Sequence, residues 1–201
     1  MQTCLPISKA MNMRPHLWMD CYEHGGLFER DYETKRTSNF GGITEKEIKA
    51  QFPSFDFDDG VFTSKGWYTG GYESQKKCSV RAARVSDRLK RIASELNVDT
   101  TIALVAHHDF LDVLLRHIFD IDVNIRASPV GTQFRHFNTA MTCIEIVQSK
   151  KLRKSLHEEL RELDERSGDD FKDMVTTRML FMNMVRHLPD SLVSWDKLGI
   201  V

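Results

Sequence analysis

With 201 residues and 23.3 kDa, the chain is long enough for one substantial α/β domain and too short for two comfortable ones. Its 28 Lys and Arg against 29 Asp and Glu leave a formal charge of −1, so there is no global field to hold a polyanion, which argues against a dedicated nucleic-acid binder. At 41% hydrophobic residues the chain can build a core, and no apolar run approaches the roughly 20 residues of a membrane span.

The opening segment, Met1-Gln2-Thr3-Cys4-Leu5-Pro6, has neither the basic nor the long apolar region of a signal peptide. Four scattered cysteines (Cys4, Cys21, Cys78, Cys143) form no C-x-x-C pair, so the expectation is a cytoplasmic chain with reduced thiols. Residues 8–12 have helical character, Pro15 forbids continuation, and His16-Leu17-Trp18-Met19 fits a strand. Gly25-Gly26 marks a turn, and the polar residues 27–42 read as a loop or lid. Thr44 and Glu47 have the spacing of a capping box, on a short helix that must end before Pro53.

The clearest helix covers 73–96. Its apolar residues Cys78, Ala82, Val85, Leu89, Ile92 and Leu96 recur every three or four positions and give one buried stripe. Next, Ile102-Ala103-Leu104-Val105-Ala106 is a continuous apolar run, the pattern of a strand buried on both faces. His107-His108-Asp109 follows, and Leu111, Leu114, Leu115 and Ile118 start another amphipathic helix. A helix, a buried strand and a helix predict a parallel sheet covered by helices. Residues 138–147 and 179–185 read as further strands, and the charged stretch 150–170 as an exposed helix or an insertion within one domain over 1–201.

In open α/β sheets, ligands bind at the carboxyl ends of strands. His107 falls at such a place and precedes a helix whose N-terminal amides and dipole suit an anion, so it fits either a phosphoryl ligand or a histidine that only caps the helix. Glu23, just before the glycine pair, fits a proton donor, because a neighbouring phosphate favours the protonated form of a carboxyl group; it also fits an ordinary surface carboxylate. Arg30, Lys35 and Arg36 in the polar loop have the charge to reach a substrate phosphate, or to be simply solvated. His117, His157 and His187 fit no ligand spacing.

Taken together, these segments resemble the histidine phosphatase superfamily, also called phosphoglycerate mutase-like, over most of residues 1–147. The stretch Leu104-Val105-Ala106-His107-His108-Asp109-Phe110 is similar to that family's second histidine motif, and Glu23 with Gly26 to its E-x-x-G acid motif. Glu73-Ser74 with Arg81-Ala82, Gly66-Trp67-Tyr68, and Asn138-Thr139-Ala140-Met141-Thr142 add to the likeness. The resemblance implies a three-layer α/β/α fold with a mainly parallel central sheet, and a phosphomonoesterase acting on a small phosphorylated substrate through a phosphohistidine. His107 would then be a catalytic hydrogen-bond donor to the phosphoryl oxygens and Glu23 the acid. Gly26, His108 and Asn138 would line the substrate. No cofactor or metal is implied, since protonated histidine and arginine supply the compensating charge.

The family's nucleophile lies in an Arg-His-Gly motif, and none occurs here: Arg135-His136 precedes Phe137, and Arg186-His187 precedes Leu188. Met1-Gln2-Thr3-Cys4 resembles the end of the family's R-x-x-Q-T-A helix, so the first strand and the nucleophile are expected upstream of Met1, leaving residues 1–201 inactive alone and prone to associate through unpaired strand edges. His108 stands where the family has glycine. Two rivals follow. One is a non-catalytic protein of the same fold that binds a phospho-ligand or a partner. The other is a metal-dependent phosphohydrolase built on His108-Asp109 with ligands such as His16, His24 and Asp112. Oligomeric state and substrate identity leave no mark in the sequence.

Overall fold

The computed structural model describes residues 1–121, 133–148 and 175–189. Helix α1 (Cys4–Ala10) begins earlier than the pattern at 8–12 predicts. Strand β1 (His16–Leu17) pairs in parallel with β4 (Asp56–Phe57). Between them, β2 (Phe28–Arg30) and β3 (Thr37–Asn39) make an antiparallel hairpin inside the stretch expected to be a loop. Its turn is local chemistry: the Asp31 carboxylate accepts the amides of Glu33 and Thr34, at 2.9 and 3.0 Å. Helix α2 (Glu45–Gln51) carries the expected capping box, Thr44 Oγ1 accepting Glu47 N and the Glu47 carboxylate accepting Thr44 N.

Helix α3 (Gln75–Glu95) buries the predicted stripe at Cys78, Ala82 and Val85. Helix α4 (His108–Ile118) answers with Phe110, Leu114, Leu115 and Ile118, each at most 4% exposed, and the two faces form the core. Trp18, Cys21, Leu104, Ala106, Phe134 and Ile144 pack around them. Strands β5 (Met141–Gln148) and β6 (Val175–Met184) form an antiparallel pair with a register shift near Cys143. β5 starts three residues later than expected because Thr139 turns into the left-handed region, φ 61°. β6 is longer at its start than the pattern at 179–185.

The run 102–106 departs from expectation. Among the described residues no strand pairs with it, and Ile102 is 45% exposed. A strand is defined by its partners; among the described residues Leu104 and Ala106 pack by their side chains on the two-helix core. The paired strands described make three two-stranded pieces, one parallel and two antiparallel, on an α/β framework. A continuous parallel sheet is not among them. The charged stretch 150–170 lies outside the described residues. Among those residues no helix is long and apolar enough to cross a membrane.

Candidate functional site

The chemistry gathers where α4 begins. His107 is extended (φ −120°, ψ 157°), and its carbonyl accepts the Leu111 amide at 2.8 Å, so it is the N-cap in backbone terms. Its ring makes no capping hydrogen bond and is exposed. A helix start leaves its first amides without internal partners. One of them, Phe110 N, donates instead to Glu23 Oε1 at 3.1 Å, and the same oxygen accepts His24 N at 2.7 Å. The half-buried carboxylate of Glu23 therefore caps the helix that presents His107, bringing the two candidate residues to one place.

His108, the first residue of α4, is turned by a second contact. Its Nδ1 lies 2.8 Å from the His136 carbonyl, which can only accept, so Nδ1–H donates and Nε2 is left 3.8 Å from Asp109 Oδ1. His136 is fixed in turn: Nδ1 is 3.0 Å from Phe134 O and Nε2 is 2.7 Å from Thr142 Oγ1. Burial pushes His136 below the ordinary imidazole range; the bond to Phe134 opposes this and the charge of His108 adds to it. Neutral His136 thus donates to Phe134 O and accepts from the Thr142 hydroxyl, which itself accepts Asn183 N at 3.1 Å. Asn183 Oδ1 holds Phe137 N at 2.7 Å, tying the 136–138 turn to β6.

Behind Glu23 lies a buried ion pair. Arg81 and Glu73 are 2% and 4% exposed and form two bonds, Nε to Oε1 at 2.8 Å and Nη2 to Oε2 at 2.7 Å. Burial pushes Glu73 up, but the Arg81 guanidinium, by hydrogen bond and charge, and the Tyr22 hydroxyl outweigh it, so the carboxyl sits below its usual range. Arg81 also lies 3.6 Å from the Tyr22 ring centroid and 4.4 Å from that of Phe110.

Gly26 is needed for packing. Its φ is +74°, and a Cβ there would collide with Tyr68 Oη and come within 2.6 Å of Gly71 O. Asn138 is exposed in the turn before β5, two residues beyond the His136 carbonyl that holds His108. Asp112 is committed to Arg116 and to Phe134 N, and His16 lies 3.2 Å from Asp58. Among the described residues no group of three or more His, Cys, Asp or Glu could hold a metal ion.

Sequence reasoning noticed Glu73 and Arg81 only as points of likeness. A physical signal was present: Arg81 falls on the apolar stripe of α3, between Cys78 and Ala82, where a cation needs a buried acid. His136, Thr142 and Asn183 gave no local signal, because their contacts join distant segments.

A family model described as Histidine phosphatase superfamily (branch 1) matches residues 1–159. None of the curated proteins and none of the solved structures compared with the chain matches it.

Proposed function

Because the chain belongs to the histidine phosphatase superfamily, we propose that it handles phosphate monoesters at the start of α4, with His107 contacting the phosphoryl group and Glu23 serving as the proton donor. Membership carries phosphatase- or mutase-like function as the general class. The observation that supports the finer reading is the Glu23–Phe110 bond, which sets a carboxylate beside an exposed histidine at the positive end of a helix dipole.

Such a pair suits half of a phosphoryl transfer. As the phosphorus–oxygen bond breaks, charge collects on the phosphoryl oxygens and the leaving alkoxide. The imidazole of His107 donates to a phosphoryl oxygen, His108 Nε2 and the Asn138 amide line the substrate, and the Glu23 carboxyl gives its proton to the alkoxide. In this proposal the backbone at Gly26 lines the substrate as well. No Arg-His-Gly occurs in the 201 residues, so the proposal has the nucleophilic histidine, and the phosphohistidine it forms, supplied from outside them. The same reading includes a three-layer fold with a mainly parallel sheet, supported by the parallel β1–β4 pair. It also includes a cytoplasmic setting, supported by four free cysteines.

Titration of tungstate and inorganic phosphate into the chain, followed by amide NMR, tests this. The amides of His108, Asp109 and Phe110 are expected to shift, and the shifts to weaken in His107→Ala. No response at the start of α4 under saturating tungstate would overturn the reading. p-Nitrophenyl phosphate is expected to turn over only at background. Steady turnover lost in His107→Ala would place the nucleophile inside these residues. The missing Arg-His-Gly also favours a second reading, a non-catalytic phospho-ligand or partner-binding protein, which predicts tungstate binding with no turnover even when an upstream segment is added.

A further inference from the structure

We infer that the Arg81–Glu73 ion pair is the positioning element for Glu23, setting where that carboxylate points; the inference deepens the proposal above and rests on Glu23 being its proton donor. The Glu23 carboxylate is held by two amides, His24 N and Phe110 N. The ion pair governs the placement of both. On the chain before Glu23, Arg81 Nη1 donates to Asp20 O at 2.8 Å and to Tyr22 O at 2.9 Å, and the Tyr22 hydroxyl donates to Glu73 Oε1 at 2.9 Å. On the chain after it, Glu73 N donates to Gly25 O at 2.8 Å. The segment carrying Glu23 is therefore fixed on both flanks by the two partners. The same guanidinium lies against the ring of Phe110, whose amide closes the second bond.

A buried ion pair is a poor device for stability alone, since the cost of desolvating two charges offsets much of their attraction and an apolar pair can do as well. What an apolar pair cannot do is engage two carbonyls ahead of Glu23 with one side chain while the other side chain accepts the Tyr22 hydroxyl from the same segment. Orientation is the output peculiar to this arrangement.

An amide that donates to a carboxylate shifts as the carboxylate titrates, so the Phe110 amide, followed by NMR across the acid range in an Asp109→Asn background that removes the carboxyl group beside that amide, reports the Glu23 contact. The Asp109→Asn chain is expected to show this titration, and adding Glu23→Gln to abolish it. Glu73→Gln and Arg81→Lys are expected to lose most of its amplitude while remaining folded. Val85→Ala, a core truncation on the same helix that removes no hydrogen bond or charge from either partner, is expected to keep it. Should Arg81→Lys not fold, Glu73→Gln and the Val85→Ala control decide. An unchanged Phe110 titration in folded Glu73→Gln overturns the inference, as does equal loss in Val85→Ala, or persistence of the titration in Glu23→Gln. Failure of tungstate to reach α4, with the titration still dependent on Glu73, would remove the phosphate reading and leave the positioning role standing.

Discussion

Ser79 Oγ lies 2.9 Å from His117 Nε2, a polar bond that joins α3 to α4. Ser79 is 6% exposed and His117 is half-buried, so the imidazole loses part of its hydration. Burial pushes its pKa below the ordinary 6.5; the Lys90 charge acts in the same direction, and Asp87, Asp120 and the bond with Ser79 oppose them.

That direction fixes how stability varies with pH. Well above 6.5 both the folded and the unfolded chain hold His117 neutral, and the group has no influence. As the pH falls through 6.5 the unfolded chain takes up its proton first, so folding weakens, until the folded pKa is passed and the loss levels off. His136 is depressed from the same value and adds to the effect. The urea midpoint is expected to fall between about pH 7.5 and about pH 5.5, and to fall less in His117→Gln. A flat profile over that interval would contradict the assignment.

Gly26→Ala is expected to destabilise the chain by roughly 2–4 kcal/mol, through left-handed strain and steric overlap together. The new methyl group meets Tyr68 Oη, and Tyr68 cannot swing away without breaking its 2.6 Å bond to Gly71 O. Gly25, φ +98°, has nothing within 4 Å of a Cβ, so Gly25→Ala meets the strain alone and is expected to cost less. Paired thermal melts check the order; equal melts would show that the Tyr68 contact yields.

Thiol reactivity should divide the cysteines. Burial pushes both Cys21 and Cys78 up to about 12, Asp20 adding to Cys21 while the Arg81 charge partly offsets each. The thiolate is the reacting species, so at about pH 8 both are expected to stay silent to Ellman's reagent in the native chain and to react after unfolding in guanidinium. Rapid native labelling at either position, located by mass spectrometry, would show that the two-helix core opens on the labelling timescale.

The parts of the fold that were legible are those specified by neighbours in sequence. The stripe of α3, the apolar face of α4 and the Thr44–Glu47 box each follow from residues three or four apart. The run 102–106 was misread because an apolar run by itself fixes neither burial nor pairing: Ile102 and Ala103 are exposed, and strand pairing needs a second segment that periodicity cannot supply. The β2–β3 hairpin was missed because its residues alternate no apolar face; Asp31 accepting two amides shapes the turn instead. At the site, Glu23 and His107 could be picked out by residue type and by glycine and strand context. Their meeting at one helix start could not, since it depends on a bond spanning 87 residues.

Glu23 has a structural and a proposed chemical role, and two substitutions separate them. Glutamine keeps a carbonyl oxygen able to accept the Phe110 amide, so Glu23→Gln is expected to melt close to the wild type. Alanine leaves that amide without the acceptor, and Glu23→Ala is expected to lose about 1 kcal/mol, the usual cost of removing a helix cap. Proton donation to a leaving alkoxide is lost in both. In an active assembly supplied with the nucleophile, both variants are therefore expected to slow turnover of an alkyl phosphate by a similar factor, on the order of 10²–10⁴. p-Nitrophenyl phosphate, whose leaving group needs little protonation, should slow far less. Full alkyl phosphate turnover by Glu23→Gln, with Glu23→Ala impaired only in its melt, would leave the carboxylate as a helix cap and move the acid elsewhere.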